Sequence, residues 1–151
     1  EVTCFAAILG NQGATVVRQA VSSHSVALHV RLGSVLPLDR SATGLVFAAY
    51  LAPERVHTIL GRNLEPKAKQ LCAAVRRQGV STVKDLLVGG ISAVSVPVFG
   101  HGSHLEGVLT ALGTTGSIDI AIDGAVARQM LSAAKAIGEV LGAISPLIDE
   151  R

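Results

Sequence analysis

One segment decides how this chain folds: Leu36-Pro37-Leu38-Asp39-Arg40-Ser41-Ala42-Thr43-Gly44, which leads from a loop into a stretch without charged residues, Ala42 to Leu51. A helix over that stretch is apolar on every side, so it has to lie inside the domain. Its first turn has backbone N–H groups without intrahelical partners and a partial positive charge. The residues leave two interpretations open: Ser41 caps the helix, or the free N–H groups bind a small anion.

The composition indicates one globular domain and excludes several classes of protein. Of 151 residues, 49% are hydrophobic and 16% are charged, which is enough apolar surface for one core. A net charge of +2 and 3% aromatic residues argue against nucleic-acid binding by this chain, because phosphates require a basic excess and bases stack on aromatic rings. The longest uncharged stretch, Leu86 to Gly100, is broken by glycines and a proline, so it predicts a buried strand and no membrane span.

Alternating and helical patterns on both sides of the buried helix predict an α+β domain. Two β runs, Val2–Leu9 and Thr15–Val17, form a hairpin around Gly10–Gly13, followed by a short edge strand at Val26–Val30 and a loop at Gly33–Arg40. After the buried helix, Pro53 and Pro66 begin two further helices that end at Gly61 and Gly79. In the second of these, Leu71 and Val75 face inward.

The rest of the chain predicts a second hairpin and a long helix. Strands at Ile91–Phe99 and Leu105–Leu112 flank the turn Gly100–Ser103. Asp123 caps a helix that extends to about Gly142. We expect its inward face to carry one apolar stripe and its outward face Arg128, Lys135 and Glu139; the stripe is Val126, Met130, Ala133, Ile137 and Leu141. The order of elements favours an antiparallel or mixed sheet with helices packed on its faces.

The sequence offers little for catalysis or metal binding. The pair His101 and His104 lies in a Gly-Ser turn without an acidic or cysteine ligand nearby, and none of the common nucleophile, phosphate-loop or zinc motifs is present. Cys4 and Cys72 have neither metal-binding nor disulfide spacing, which favours a reducing cytoplasm. Asp39 and Arg40 allow two interpretations, a surface cap or a ligand contact. We expect no cofactor, no metal and no catalysis.

In its motifs the chain resembles the effector-binding domain of the IclR family of bacterial transcriptional regulators. The resemblance covers nearly the whole chain and is specific as an ordered set. It rests on the Leu-Pro-Leu loop with Ser41-Ala42-Thr43-Gly44, then Ala49-Tyr50-Leu51, Val75-Arg76-Arg77-Gln78-Gly79-Val80, Gly90-Ile91-Ser92-Ala93-Val94-Ser95-Val96-Pro97-Val98-Phe99 and Val108-Leu109-Thr110-Ala111-Leu112-Gly113.

The resemblance implies a GAF-like α+β fold with a ligand pocket between the sheet and its connecting segments. Residues 1–151 would form the effector-binding domain, and the winged helix-turn-helix that binds operator DNA in that family is absent from this chain. It further implies a homodimer or homotetramer, contact with DNA only through that N-terminal domain, no membrane, and a cytoplasmic location. The alternatives are a stand-alone GAF-like module of a signalling protein and a small-molecule enzyme.

The same resemblance implies eight ligand-binding positions. The backbone of the first helical turn would face the acid group of an effector, late strands would form the wall, and the edge segment and loop would cover it; the residues are Ala42 and Thr43, then Ile91, Ala93, Thr110 and Leu112, then Leu28 and Leu36. Family members that sense two- or three-carbon acids have cysteine at the position of Ala93 and serine at that of Leu112. An apolar wall therefore predicts an aromatic or medium-sized aliphatic carboxylate, oriented by the hydroxyl of Thr110.

Overall fold

The centre of the domain is one curled antiparallel sheet, seen in a computed structural model that describes residues 2–21 and 30–142. In the described residues the sheet has six strands in the order β3-β2-β1-β6-β5-β4, and every neighbouring pair is antiparallel. Their bounds are β1 Thr3–Gly10, β2 Gly13–Ala20, β3 Val35–Leu36, β4 Ser81–Lys84, β5 Ile91–Phe99 and β6 Leu105–Thr114. This confirms the predicted α+β, GAF-like class.

Helices cover both faces of the sheet because the central strands are buried on both sides. The helices are α1 Ala42–Tyr50, α2 Pro53–Leu60, α3 Pro66–Gln78 and α4 Ala125–Val140. One apolar cluster joins α1, α2 and α3 to the inner face through residues such as Phe5 and Val108. A second cluster joins α4 to the outer face through Val94, Val96 and Val98 of β5. The sheet therefore separates two cores.

The buried helix and both proline-initiated helices confirm the predictions from their local sequences. Residues Ala42 to Ala49 of α1 are all buried, as expected for a helix without a polar side. Helices α2 and α3 each have proline in their first turn and end at Gly61 and Gly79, whose positive φ angles suit glycine. Both hairpins are present, with β1 paired to β2 and β5 paired to β6.

The predicted boundaries need several corrections. The loop Gly33–Arg40 contains β3, which pairs with β2, and β4 was not predicted, because its four residues are recognisable only by their pairing with β5. The stretch Leu86–Gly90 forms turns rather than the beginning of a strand. The predicted edge strand at Val26–Val30 lies almost wholly in residues 22–29, outside the described part of the chain.

Helix α4 begins one residue later than predicted and buries a different set of side chains. Gly124, not Asp123, occupies the N-cap position, because the turn in which Asp119 accepts a hydrogen bond from the Ala121 amide delivers an extended Gly124 into the helix. Of the predicted inward stripe, Met130 is buried and Val126 is partly buried against the outer-face cluster, whereas Ala133, Ile137 and Leu141 are exposed. Ala127, Ala134 and Gly138 complete the buried face. Small side chains let α4 lie close to β5 and β6, which leaves Ile137 and Leu141 exposed, 40% and 47% respectively.

Candidate functional site

The entry into α1 is held by a compact turn that Ser41 and Gly44 make possible. The Ser41 hydroxyl donates to the Pro37 carbonyl at 2.8 Å and accepts from the Gly44 amide at 2.9 Å. A Cβ on Gly44 would lie 2.0 Å from the Pro37 oxygen, so only glycine allows the loop to cross this turn of the helix. The interpretation of Ser41 as the N-cap is confirmed.

Capping by Ser41 does not use up the donors of the first turn. Its side chain accepts a hydrogen bond from the Gly44 amide, and its carbonyl accepts one from the Leu45 amide at 2.9 Å. The amides of Ala42 and Thr43 have no hydrogen-bond acceptor among residues 2–21 and 30–142. Both interpretations of this turn are therefore compatible, because the cap and an anion would use different N–H groups.

The first turn of α1 lies at the edge of a cavity of about 350 Å³ between the helix and the inner face of the sheet. This volume falls within the range of small-molecule sites in proteins. Strands β1, β4, β5 and β6 form the floor, and the segments before α1 and β5 flank the opening. The lining residues are Phe5, Val30, Ser34, Leu36, Ser41, Ala42, Thr43, Val83, Leu87, Val88, Ile91, Ala93, Thr110 and Leu112.

Seven of the eight residues predicted from the sequence line this one cavity: Leu36, Ala42, Thr43, Ile91, Ala93, Thr110 and Leu112. The eighth, Leu28, lies outside the described residues. Sequence reasoning missed Phe5 and Val83, which join the floor by strand register, and Leu87 and Val88, which belong to turns. Alternation along β1 could have indicated Phe5, whereas no local signal marks Val83, because β4 is too short to recognise.

A chain of three buried hydroxyls joins α1 to the floor of the cavity. The Thr43 and Thr110 oxygens are 2.7 Å apart, and the Thr110 and Ser95 oxygens are 2.6 Å apart. All three residues are at most 1% exposed. Thr110 therefore lines the cavity, but its hydroxyl is already bonded on two sides, to Thr43 of α1 and to Ser95 of β5.

The cavity is apolar and has no ionisable side chain among its described lining residues. Its polar side chains are those of Ser34, Ser41, Thr43 and Thr110. The buried Asp39 forms an ion pair with Arg62 and lies 3.9 Å from the Arg40 guanidinium. Neither residue of the Asp39-Arg40 pair lines the cavity, so the first turn of α1 is the positive end of the site.

A hydrogen-bonded turn holds the loop that carries Leu87 and Val88 at the opening. The Thr115 hydroxyl and the Gly90 amide donate to Asp85, at 2.7 Å and 2.8 Å. These hydrogen bonds, that from Thr115 first, lower the pKa of Asp85. The loop is thus tied to the residue that follows β6, while Leu87 and Val88, 42% and 56% exposed, remain at the opening of the cavity.

Metal and thiol chemistry find little support in the described part of the chain. Residues 2–21 and 30–142 contain no group of three or more His, Cys, Asp or Glu side chains arranged to hold a metal. Cys4 and Cys72 are free thiols, and burial raises the pKa of both. None of the described helices is long and apolar enough to cross a membrane.

A family match and solved structures both relate this chain to bacterial transcriptional regulators of the IclR type. A family described as the bacterial transcriptional regulator IclR C-terminal domain matches residues 1–139. The crystal structure of Pseudomonas aeruginosa HmgR is 35% identical, with a TM-score of 0.85 over 93% of this chain and 60% of that chain. No curated protein sequence matches this chain.

Two more distant structures show the same fold. An IclR-type regulator from Alicyclobacillus acidocaldarius is 23% identical with a TM-score of 0.80, over 93% of this chain and 61% of that chain. The IclR protein of Thermotoga maritima is 17% identical with a TM-score of 0.80, again over 93% and 61%. This chain therefore spans about three fifths of the length of these regulators.

Proposed function

Because this chain belongs to the IclR family of bacterial transcriptional regulators and corresponds to its C-terminal domain, we propose that its cavity binds a carboxylic-acid effector. The carboxylate lies against the amides of Ala42 and Thr43, which have no acceptor within the described residues and where the dipole of α1 favours negative charge. The observation that carries this proposal is the pairing of those two donors with an otherwise apolar cavity.

The apolar wall favours an effector with a sizeable apolar part attached to its carboxylate. Each CH₂ group removed from water contributes about 0.8 kcal/mol, which a two- or three-carbon acid cannot supply. Leu112, Ala93 and Ile91 line the floor, and Leu36 lies in the segment that flanks the opening. An aromatic or medium-sized aliphatic carboxylate therefore fits better than glyoxylate or pyruvate.

Calorimetry with 3-phenylpropionate, benzoate, pyruvate and glyoxylate tests this proposal on the wild type and on Leu112→Ser. We expect the aromatic acids to bind the wild type, and the serine variant to bind them about tenfold more weakly while gaining relative preference for the short acids. Leu109→Ser is the matched control, because Leu109 lies on the same strand but packs on the outer face. Binding of only the short acids to the wild type, or an unchanged ranking in Leu112→Ser, contradicts the assignment.

The role that follows is sensing, with the response carried by a DNA-binding domain outside this chain. Effector binding at α1 would change how that winged helix-turn-helix domain engages its operator, in the cytoplasm and without membrane contact. The cavity's lack of a titratable lining side chain among the described residues supports a regulatory rather than an enzymatic role, since a general acid or base needs such a group.

We further propose that the domain forms a homodimer or homotetramer through the exposed apolar side of α4. Val140 is 86% exposed, and Ile137 and Leu141 lie beside it along the helix. Light scattering at tens of micromolar is expected to give a mass above the 15.5 kDa of one chain, and Val140→Lys to reduce it. Glu139→Lys, on the polar side of α4, is the control. A 15.5 kDa particle for the wild type would refute the assembly.

A further inference from the structure

The Thr3 side chain is the exception in the hydrogen bonding of this domain. Its hydroxyl is the one buried side-chain polar atom without a hydrogen-bond partner in the described residues, and the residue is 1% exposed. Buried polar groups are almost always paired, because an unpaired group keeps the full cost of its desolvation. The buried Thr3 hydroxyl is therefore a candidate partner for a polar group from outside the chain.

Thr3 lies at the end of a row of residues that forms the floor of the cavity. Register places Val83, Ala93 and Leu112 opposite one another across β4, β5 and β6, and Thr3 on β1 is directly opposite Leu112. Side chains directly opposite on antiparallel strands share one face, with Cβ atoms about 4.5–5.5 Å apart. Thr3 is thus next to Leu112, and it precedes Phe5 on the same face of β1.

The other buried hydroxyls at the cavity are already occupied. Ser41 bonds to Pro37 and Gly44, whereas Thr43 and Thr110 bond to each other and, through Thr110, to Ser95. Thr3 itself lies just behind the lining, beside Phe5 and Leu112, which are both part of it. Among the buried hydroxyls in this part of the floor, that of Thr3 is therefore the one left without a partner in the described residues.

We propose that Thr3 determines specificity in this cavity, and that the effector carries a second polar group, a hydroxyl or carbonyl oxygen, on the side of its apolar body that faces β1. This inference rests on the proposed function, because it requires an acid held at α1. It adds that the effector is polar at both ends and apolar between them.

Three proteins and three acids test the inference by calorimetry and thermal unfolding. The acids are 3-phenylpropionate and its 3-hydroxyphenyl and 4-hydroxyphenyl analogues, and the proteins are wild type, Thr3→Val and Thr3→Ser. We expect one hydroxylated acid to bind the wild type about three- to tenfold more tightly than 3-phenylpropionate. Thr3→Val should abolish that preference while changing the affinity for 3-phenylpropionate less than twofold, and Thr3→Ser should retain it.

The ligand-free protein gives a second measurement. Valine has nearly the shape of threonine without the unpaired hydroxyl, so we expect Thr3→Val to unfold about 2–4 °C above the wild type. A lower melting temperature means that the hydroxyl is already satisfied, for example by a buried water, and overturns the inference. Equal binding of all three acids overturns it while leaving the proposed function intact, whereas binding of none overturns both.

Discussion

Replacing Gly44 with alanine is expected to destabilise the domain by about 3 kcal/mol or more, because the added methyl group would overlap backbone atoms of the loop before α1. It would lie 2.0 Å from the Pro37 oxygen and 2.6 Å from the Leu38 Cα, which are backbone atoms that no rotamer change can move. Relief requires the loop before α1 to move away from the helix, and that movement breaks the hydrogen bond from the Ser41 hydroxyl to the Pro37 carbonyl. Urea denaturation of Gly44→Ala and the wild type measures the cost.

The same substitution should impair the site, since the loop and the first turn of α1 form one side of the cavity. Gly89→Ala is the matched control: a Cβ there meets no atom within 4 Å, so we expect a change within about 0.5 kcal/mol. A cost below about 1 kcal/mol for Gly44→Ala would show that the loop moves readily, and that the cap does not fix α1.

Thr110→Val is expected to cost about 2 kcal/mol, because it leaves two buried hydroxyls without their shared partner. Thr43 and Ser95 both bond to the Thr110 hydroxyl, and they are 1% and 0% exposed. Removing all three hydroxyls should leave no buried hydroxyl of this group unpaired. We therefore expect the triple variant Thr43→Val, Thr110→Val, Ser95→Ala to lose less free energy of unfolding than the sum of the losses of its three single variants.

Thr114→Val provides the control for the change from threonine to valine on the same strand, because Thr114 is exposed at the end of β6. Its effect should stay within about 0.5 kcal/mol. If Thr110→Val proves neutral, the hydroxyls find other partners, and the attachment of α1 to the sheet depends on apolar packing alone. Equilibrium unfolding in urea distinguishes the two cases.

Most of the fold could be predicted from local sequence, because its signals lie within a few residues. The absence of charge from Ala42 to Leu51 requires a buried helix, and Pro53 with Gly61 marks the start and end of the next one. The hairpin at Gly10–Gly13 follows from turn residues between two apolar strands. Such signals depend on backbone preferences that each short segment carries by itself.

The face of α4 and the existence of β4 depended on partners far away in sequence. Two apolar stripes run along α4, and the sequence pattern favoured the bulkier one with Ile137. The sheet accepts the stripe of Ala127, Met130, Ala134 and Gly138 instead, because small residues allow closer packing. Likewise, four residues of β4 become a strand only through pairing with β5.

For the site, the sequence by itself, through its family resemblance, indicated residues that lie close together, since Leu36, Thr43 and Leu112 line one cavity. Only the tertiary structure decided which polar groups remain free. The hydroxyl of Thr110 is occupied by Thr43, 67 residues away, and by Ser95, 15 residues away, whereas that of Thr3 has no partner in the described residues. Hydrogen bonding between distant segments depends on how strands and helices are placed in space, and no local pattern encodes that placement.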